Sequence, residues 1–226
     1  MELKPVLVFD MDGVLVDVSD SYRATIVEVV RHFTGQTVTR EVIQDYKNAG
    51  GWNNDWALSQ KLIAEVGGQT IAYEDVVKVF QQYFFGLNND GLVLNEKWIP
   101  APGLLEGLST QYMLSIFTGR LLAEAQFTLT RFVPQLHWSM IVADDNVARS
   151  KPAPDGLLNI ASAFPGAKLL YFGDTVDDAR SASAAGVEFI GVAHGNNPKH
   201  SELVALLRQE GARDVIDNIG RIGEVL

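Results

Sequence analysis

Short, uninterrupted runs of apolar residues recur along the chain, with long spacers of helical character between them. Such runs are typical of strands in a parallel sheet that is covered on both faces. Spacers of this length are typical of repeated strand–helix units. The pattern therefore predicts an α/β fold with a doubly wound parallel sheet. The predicted strands are Val6–Phe9, Met113–Phe117, Met140–Ala143, Leu169–Phe172, Phe189–Val192 and, less clearly, Val215–Ile216.

Residues 18–95 interrupt this alternation of strands and helices, because they show helical periodicity and no convincing strand. In Ile26–Phe33, apolar residues follow the i, i+3, i+4, i+7 spacing of one helix face. We therefore predict an all-helical domain over residues 18–95, inserted into a core domain of residues 1–17 and 96–226. Further helices are predicted around Val42–Tyr46, Trp56–Val66 and Tyr73–Phe84.

Composition narrows the range of functions. The 226 residues are 47% hydrophobic and carry a formal net charge of -10, which disfavours nucleic acid or an anionic membrane as a partner. There is no cysteine, which excludes disulfides, thiolate zinc sites and cysteine nucleophiles. No basic-then-apolar leader and no membrane-length apolar stretch occur, so we expect a cytoplasmic location. The sequence does not indicate an oligomeric state.

The first predicted strand ends in Asp10-Met11-Asp12-Gly13. Residues i and i+2 of a strand share a face, so Asp10 and Asp12 are expected to point the same way. Two adjacent carboxylates repel each other unless a cation or a reaction uses them. Gly13 lets the backbone turn there or come close to a ligand.

Other polar groups follow later strands, and the carboxyl ends of parallel strands meet at one edge of a sheet, where ligands bind. We therefore expect four groups of polar residues to lie close together at this edge of the sheet. They are Asp10 with Asp12, Thr118 with Gly119, Lys151, and Asp174 with Asp178.

These four groups, in this order, resemble the haloacid dehalogenase (HAD) superfamily of aspartate-nucleophile phosphatases. The resemblance spans the chain from Asp10 to about Val192, and the insert resembles the small helical cap of the phosphoglycolate phosphatase-like branch. It implies a Rossmann-like core and Mg²⁺-dependent hydrolysis of a small phosphorylated metabolite through an aspartyl phosphate.

The resemblance, together with the chemistry of phosphate esters, suggests a role for each residue. Asp10 is the expected nucleophile, and Mg²⁺ between it and the phosphate would offset their repulsion. Asp10 and Asp174 would each give the ion a carboxylate oxygen, and Asp12 its backbone carbonyl. Asp178 would hold a metal-bound water or orient Lys151.

The remaining groups would move protons and bind the phosphoryl group. The side chain of Asp12 is expected to be free and to act as general acid and base. Thr118, Gly119 and Lys151 would contact the phosphoryl oxygens. Two interpretations of Arg120 remain open: it binds substrate beside Thr118, or it pairs with a structural acid.

Within the insert, residues 47–56 hold more glycine, asparagine and tryptophan than a turn requires. One interpretation is a structural loop in which an Asn or Asp caps the next helix. The other is a loop that reads the substrate leaving group. On that second interpretation, the candidate substrate-binding residues are Lys47, Trp52, Asn53 and Asn54, with Arg23 for a second anionic group.

Several alternatives remain at this point. A sugar phosphomutase uses the same core residues, and nothing in the sequence excludes it. A haloacid dehalogenase is less favoured because it needs no general acid at the position of Asp12. A phosphonatase would need a Schiff-base lysine in the cap; Lys47 and Lys61 are available, but nothing else in the sequence supports that role. A phospho-acceptor signalling module represents a different class, but it does not require the helical insert. An inert binding module is a further possibility, although every catalytic position is filled.

Overall fold

The computed structural model describes residues 4–226, so residues 1–3 of the predicted core domain lie outside the described residues. The described chain forms two compact units. One comprises residues 4–16 with Trp98–Leu226, and the other comprises Asp17–Lys97.

Strands and short helices alternate in the first unit, and the second unit is helical. The strands are β1 (Val6–Phe9), β2 (Val16–Asp17), β3 (Lys97–Trp98), β4 (Met113–Phe117), β5 (Met140–Val142), β6 (Leu169–Gly173), β7 (Glu188–Val192) and β8 (Asp214–Ile216). The α-helices are α1 (Tyr22–Thr34), α2 (Arg40–Ala49), α3 (Asp55–Gly67), α4 (Tyr73–Phe84), α5 (Leu104–Ser109), α6 (Leu122–Phe132), α7 (Asp155–Ala163), α8 (Val176–Ala185) and α9 (His200–Gln209).

The core sheet has six parallel strands in the order β5-β4-β1-β6-β7-β8. The chain runs outward from β1 to β5 on one side and then from β6 to β8 on the other. The direction reverses between β1 and β6, which creates the switch point of a doubly wound sheet. The predicted α/β fold with a Rossmann-like parallel sheet is therefore confirmed.

The central strand β1 is apolar throughout because both of its faces are covered. Val6 and Val8 belong to a buried cluster that includes residues of α7 and α8. On the opposite face, the ring of Phe9 stacks on Phe172 of β6 at 5.3 Å and meets the edge of Trp138 at 6.4 Å. A strand in this position lacks the alternation of a half-exposed strand.

The helical unit is built around α1, α3 and α4, whose apolar faces pack together. Tyr22 of α1 contacts Phe84 of α4 with ring centroids 4.1 Å apart, and Phe80 lies beside both rings. Helix α1 ends at Gly35, whose φ of 71° is in the left-handed region that glycine tolerates.

One feature differs from the prediction. The strands β2 and β3, two residues each, pair where the chain passes from one unit to the other, and they are too short to produce a hydrophobic pattern. Across residues 4–226, none of the helices combines the length and the apolar character needed to cross a membrane.

Candidate active site

Three carboxylates meet at the switch point of the core sheet. Asp10 follows β1, and its N–H donates to the carbonyl of Phe172 in β6 at 2.8 Å. Asp174 follows β6, and Asp178 lies in the first turn of α8. Carboxylate oxygens of Asp10, Asp174 and Asp178 lie within 4.8 Å of one another. The structure thus brings together the acids predicted at the ends of β1 and β6.

Lys151 supplies a buried positive charge to this cluster. Its ammonium nitrogen lies 2.9 Å from Asp10 Oδ1 and 2.7 Å from Asp178 Oδ1. It also lies 4.7 Å above the ring of Phe117 and 5.5 Å from that of Tyr171, distances at which a cation is attracted to the ring face. The lysine is therefore held between two carboxylates and two aromatic rings.

Burial and the neighbouring charges shift the ionisation of these groups. Burial raises the pKa of Asp10 to about 7, although the attraction of Lys151 lowers it. Burial by itself lowers the pKa of Lys151, but the charges of Asp10 and Asp178 outweigh it and raise that pKa above its usual value. Burial would likewise raise the pKa of Asp178, yet the charge and hydrogen bond of Lys151 hold it below its usual value. Lys151 and Asp178 are therefore charged at neutral pH.

Asp174 is packed against the backbone of Gly13. Gly13 has a φ of 71°, and a Cβ atom placed on it would lie 2.0 Å from Asp174 Oδ2. The turn after Asp12 therefore requires glycine for its backbone angle and for the room that the carboxylate needs. Asp174 does not cap α8, because the residue at that N-cap is Thr175.

Asp178 is held by three hydrogen bonds from two neighbours besides Lys151. The hydroxyl of Tyr171 donates to Oδ1 at 2.6 Å, and the hydroxyl and N–H of Thr175 donate to Oδ2 at 2.7 and 3.0 Å. Thr175 Oγ1 accepts in turn from the Asp178 N–H, which completes a capping box. These bonds fix the carboxylate that contacts Lys151.

The donor set fits a hard divalent cation. Mg²⁺ prefers oxygen ligands and is commonly held by one or two carboxylates together with waters and phosphate oxygens. Asp10 and Asp174 offer such oxygens close together. Burial raises the pKa of Asp10 to about 7, so its ionised form is disfavoured in the fold, and a bound cation would stabilise that form. The residues present therefore fit the expected ion.

The side chain of Asp12 is not free of protein contacts, because one of its two oxygens is paired with Arg120. Arg120 Nε and Nη2 lie 2.7 and 2.6 Å from Asp12 Oδ1, and Arg120 Nη1 donates to Thr128 Oγ1 at 2.8 Å. The side chain of Arg120 is only 1% exposed, whereas that of Asp12 is 23% exposed. Of the two interpretations of Arg120, the structure favours the pairing with an acid over direct contact with substrate.

Thr118 and Gly119 follow β4 at the same edge of the core sheet. Thr118 is buried, and its Oγ1 accepts a hydrogen bond from the N–H of Arg120 at 3.2 Å. The N–H of Thr118 donates to the carbonyl of Val142 in β5 at 3.0 Å. Gly119 is exposed. A buried hydroxyl and an exposed peptide group thus follow each other at the strand end.

In the helical unit, Lys47 organises the loop that separates α2 from α3. This buried residue donates to the carbonyls of Trp52 and Asn53 at 2.7 and 3.3 Å, and to Asp55 Oδ1 at 2.5 Å. An ammonium group has three donors, and these three contacts match them. Lys47 therefore supports the loop, in contrast to the direct substrate contact that the sequence suggested.

Three other candidate residues of the helical unit, Arg23, Asn54 and Trp52, have structural partners. Arg23 pairs with Asp55 at 3.2 Å. Asn54 caps α3 by accepting from the N–H groups of Trp56 and Ala57, both at 2.9 Å. The ring edge of Trp52 meets Tyr46 with centroids 5.3 Å apart. Asn53 is partly exposed.

The sequence argument missed three contacts of the site. Thr175 could have been found, because a Thr followed three residues later by an acid is the signature of a capping box. The bond from Tyr171 to Asp178 and the bond from Arg120 to Thr128 leave no such local signal, since each depends on the packing of a helix on a strand or loop.

The chain belongs to the haloacid dehalogenase-like hydrolase family, whose family model matches residues 7–192. Its relatives include several phosphoglycolate phosphatases, one of them from Mesorhizobium japonicum, which is 22% identical over 87% of the chain and 86% of that relative. Several relatives carry the name of a phosphatase.

Individual relatives differ in length and name. The chain is 34% identical over 193 residues to an imidazoleglycerol-phosphate dehydratase of Phytophthora nicotianae; the match covers 82% of the chain but only 42% of that relative. It is 25% identical to the N-acetylmuramic acid 6-phosphate phosphatase of Pseudomonas aeruginosa, over 98% of the chain and 96% of the relative. A crystal structure of a predicted phosphoglycolate phosphatase from Haemophilus somnus has the same fold, with a TM-score of 0.75, 20% identity and coverage of 100% and 99%.

Proposed function

We propose that this protein is a Mg²⁺-dependent phosphatase that hydrolyses a small phosphate monoester through an aspartyl phosphate on Asp10. The observation that carries the proposal is the position of Asp10 at the switch point, 2.9 Å from Lys151 and within 4.8 Å of the other two acids. A carboxylate nucleophile divides this difficult hydrolysis into two easier displacements.

In the first displacement, a carboxylate oxygen of Asp10 attacks phosphorus, and the bond from phosphorus to the ester oxygen breaks. Asp12 protonates the departing alkoxide. In the second displacement, Asp12 removes a proton from water as the water oxygen attacks phosphorus. The bond from phosphorus to Asp10 then breaks, which releases inorganic phosphate and restores the Asp10 carboxylate and the protonated Asp12.

The transferring phosphoryl group needs donors and positive charge around its oxygens. The hydroxyl of Thr118, the N–H of Gly119 and the ammonium of Lys151 would supply them. Asp10, Asp174 and the backbone carbonyl of Asp12 would hold Mg²⁺, which would offset the repulsion between Asp10 and the phosphate. Asp178 would orient Lys151, to which it is already bonded.

We further propose that the helical unit is a cap domain and that its loop at residues 50–54 selects the substrate leaving group. Lys47 holds this loop by two carbonyls, so the loop has a defined shape rather than a random one. Asn53 and Trp52 would contact the substrate, while Asn54 and Arg23 would stabilise the loop and its helix.

The decisive test of the chemistry is Asp10→Asn assayed on an aryl phosphate with Mg²⁺. We expect a loss of at least about 10³-fold in kcat, because the attacking atom is replaced by a weak nucleophile. The exposed Asp75→Asn on α4 is the matched control and should keep full activity. Full activity of Asp10→Asn would end the nucleophile assignment. Steady phosphate release without a bisphosphate activator would distinguish a phosphatase from a phosphomutase.

The proposed role of the loop is tested on a panel of phosphorylated metabolites. Asn53→Ala and Trp52→Ala should change the relative kcat/KM values among these substrates much more than turnover of an aryl phosphate. Asn88→Ala, at an exposed position after α4, is the control. Equal losses on every substrate would count against a selecting loop.

A further inference from the structure

Arg120 is a buried cation with partners on both sides. Its Nε and Nη2 contact Asp12 Oδ1, and its Nη1 donates to Thr128 Oγ1 in α6. A buried guanidinium that loses a partner leaves donors without acceptors, which is costly. The side chain is therefore confined to one position, and it confines Asp12 in turn.

The main chain of Arg120 is equally well held. Its N–H donates to Thr118 Oγ1 at 3.2 Å, and its carbonyl accepts from the N–H of Asp144 at 2.9 Å. The start of α6 is fixed as well, since the Leu122 N–H donates to Asp145 Oδ1 at 2.9 Å. Arg120 thus links a fixed strand end to the carboxylate of Asp12.

We propose that Arg120 is a positioning residue that fixes Asp12 Oδ1 and thereby assigns Oδ2 to proton transfer. This inference rests on the proposed function, in which Asp12 is the acid and base. In the first displacement Oδ2 gives its proton to the alkoxide as the ester bond breaks. In the second it takes one proton from water as the bond to Asp10 breaks. Two contacts on one oxygen stop the carboxyl group from rotating and exchanging its two oxygens.

Thr128 completes the arrangement from the other side. It is fully buried in α6, and its Oγ1 accepts a hydrogen bond from Arg120 Nη1. Without this acceptor, Arg120 would lose its second anchor and Asp12 would gain freedom. Small displacements of a reacting group lower rates steeply, because catalysis depends on orientation.

The test uses the leaving group, because proton donation matters most when the leaving oxygen is strongly basic. The values of kcat/KM of Arg120→Met, which report the first displacement alone once release of the alcohol is irreversible, are measured with Mg²⁺ on an alkyl phosphate and on p-nitrophenyl phosphate. We expect kcat/KM to fall about 10- to 100-fold on the alkyl ester, part of the 10²–10⁴ that general acid–base catalysis contributes. On p-nitrophenyl phosphate, whose leaving group needs little protonation, kcat/KM should fall less than about threefold. Arg120→Lys should recover part of the alkyl rate.

Two controls address simple damage to the fold. Arg208→Met replaces an exposed arginine on α9, and Thr130→Val replaces an exposed threonine on α6; both should keep the wild-type ratio of the two rates. Thr128→Val should lower this ratio in the same sense as Arg120→Met. If Arg120→Met does not fold, Arg120→Lys and Thr128→Val decide the question.

Equal losses of kcat/KM on both esters in every folded variant would overturn the positioning role. Failure of the proposed function would look different, because the wild-type protein would then hydrolyse neither ester, or Asp10→Asn would remain active. A wild-type enzyme that depends on Asp10 but shows no change in rate ratio in these variants rejects only the inference about Arg120.

Discussion

The carboxylate of Asp174 lies so close to Gly13 that a Cβ atom on Gly13 would fall 2.0 Å from Asp174 Oδ2. Gly13 and Asp174 are 161 positions apart in the chain, yet the position of each limits the other. The glycine in the turn after β1 leaves room for the Asp174 carboxylate after β6. Because Asp10 begins the same turn, this contact relates the proposed nucleophile to a proposed metal ligand.

Gly13→Ala should weaken Mg²⁺ binding about tenfold or more, because the new methyl group displaces the Asp174 carboxylate. Gly35→Ala is the matched control, since Gly35 has the same φ of 71° but open space where the Cβ would lie. Both variants should lose about 1–2 kcal/mol of stability from the strained backbone. Isothermal titration with Mg²⁺ separates them, and equal Mg²⁺ affinities would contradict a steric role for Gly13.

Removal of metal should lower thermal stability as well as activity. A ligand that binds only the folded state stabilises it by about 2.7 kcal/mol at one hundred times its dissociation constant. We expect Mg²⁺ to raise Tm, EDTA to reverse the rise, and Asp174→Asn to reduce it strongly. Scanning calorimetry at several Mg²⁺ concentrations measures this. A Tm that does not respond to Mg²⁺ in the wild-type protein would argue against the site.

Metal-free protein should become more stable when Asp10 loses its charge. Burial raises the folded-state pKa of Asp10 from 3.8 to about 7, so its ionised form is disfavoured in the fold. The contribution of Asp10 to the free energy of unfolding is fully present below about pH 4 and is lost as the pH rises towards 7. With EDTA at pH 8, Asp10→Asn should therefore gain up to about 4 kcal/mol over wild type, and the gain should vanish near pH 4.

Denaturant unfolding at both pH values tests this gain, with Asp75→Asn as an exposed control. A gain of the same size at pH 4 and pH 8 would show that its origin is not the charge. A stabilised but inactive Asp10→Asn would also illustrate the stability that a functional site sacrifices.

Lys47→Met should destabilise the helical unit by about 3 kcal/mol, because it removes the buried partner of Asp55 and the donor to two loop carbonyls. Arg23 remains beside Asp55 and limits the loss. Lys61→Met breaks an exposed i,i+4 pair with Glu65 and should cost less than about 1 kcal/mol. Urea titrations compare the two; similar losses would contradict the supporting role of Lys47.

Local patterns were sufficient to predict the helices and the core strands. Helix α4 occupies Tyr73–Phe84, the predicted segment, and β4 occupies Met113–Phe117. Both have strong periodicity or long apolar runs, which depend on neighbouring residues alone. The two-residue strands β2 and β3 carry too few residues for such a pattern.

The proposed site was partly predictable for a different reason. Asp10, Thr118 and Asp174 each follow a parallel strand, so the direction of the sheet alone brings them to one edge. The partners of individual side chains were not predictable. Asp12 pairs with Arg120, 108 positions away, and Lys47 turns to its own loop rather than to a ligand.

By itself, the sequence determined the α/β class, the helical insertion and the strand ends at which chemistry can occur, because hydrophobic periodicity is a local property of the chain. Only the tertiary structure decided that Asp12 is tied to Arg120 and that Asp174 rests on Gly13. Those contacts depend on distances of a few ångströms between residues far apart in the chain, which no local pattern specifies.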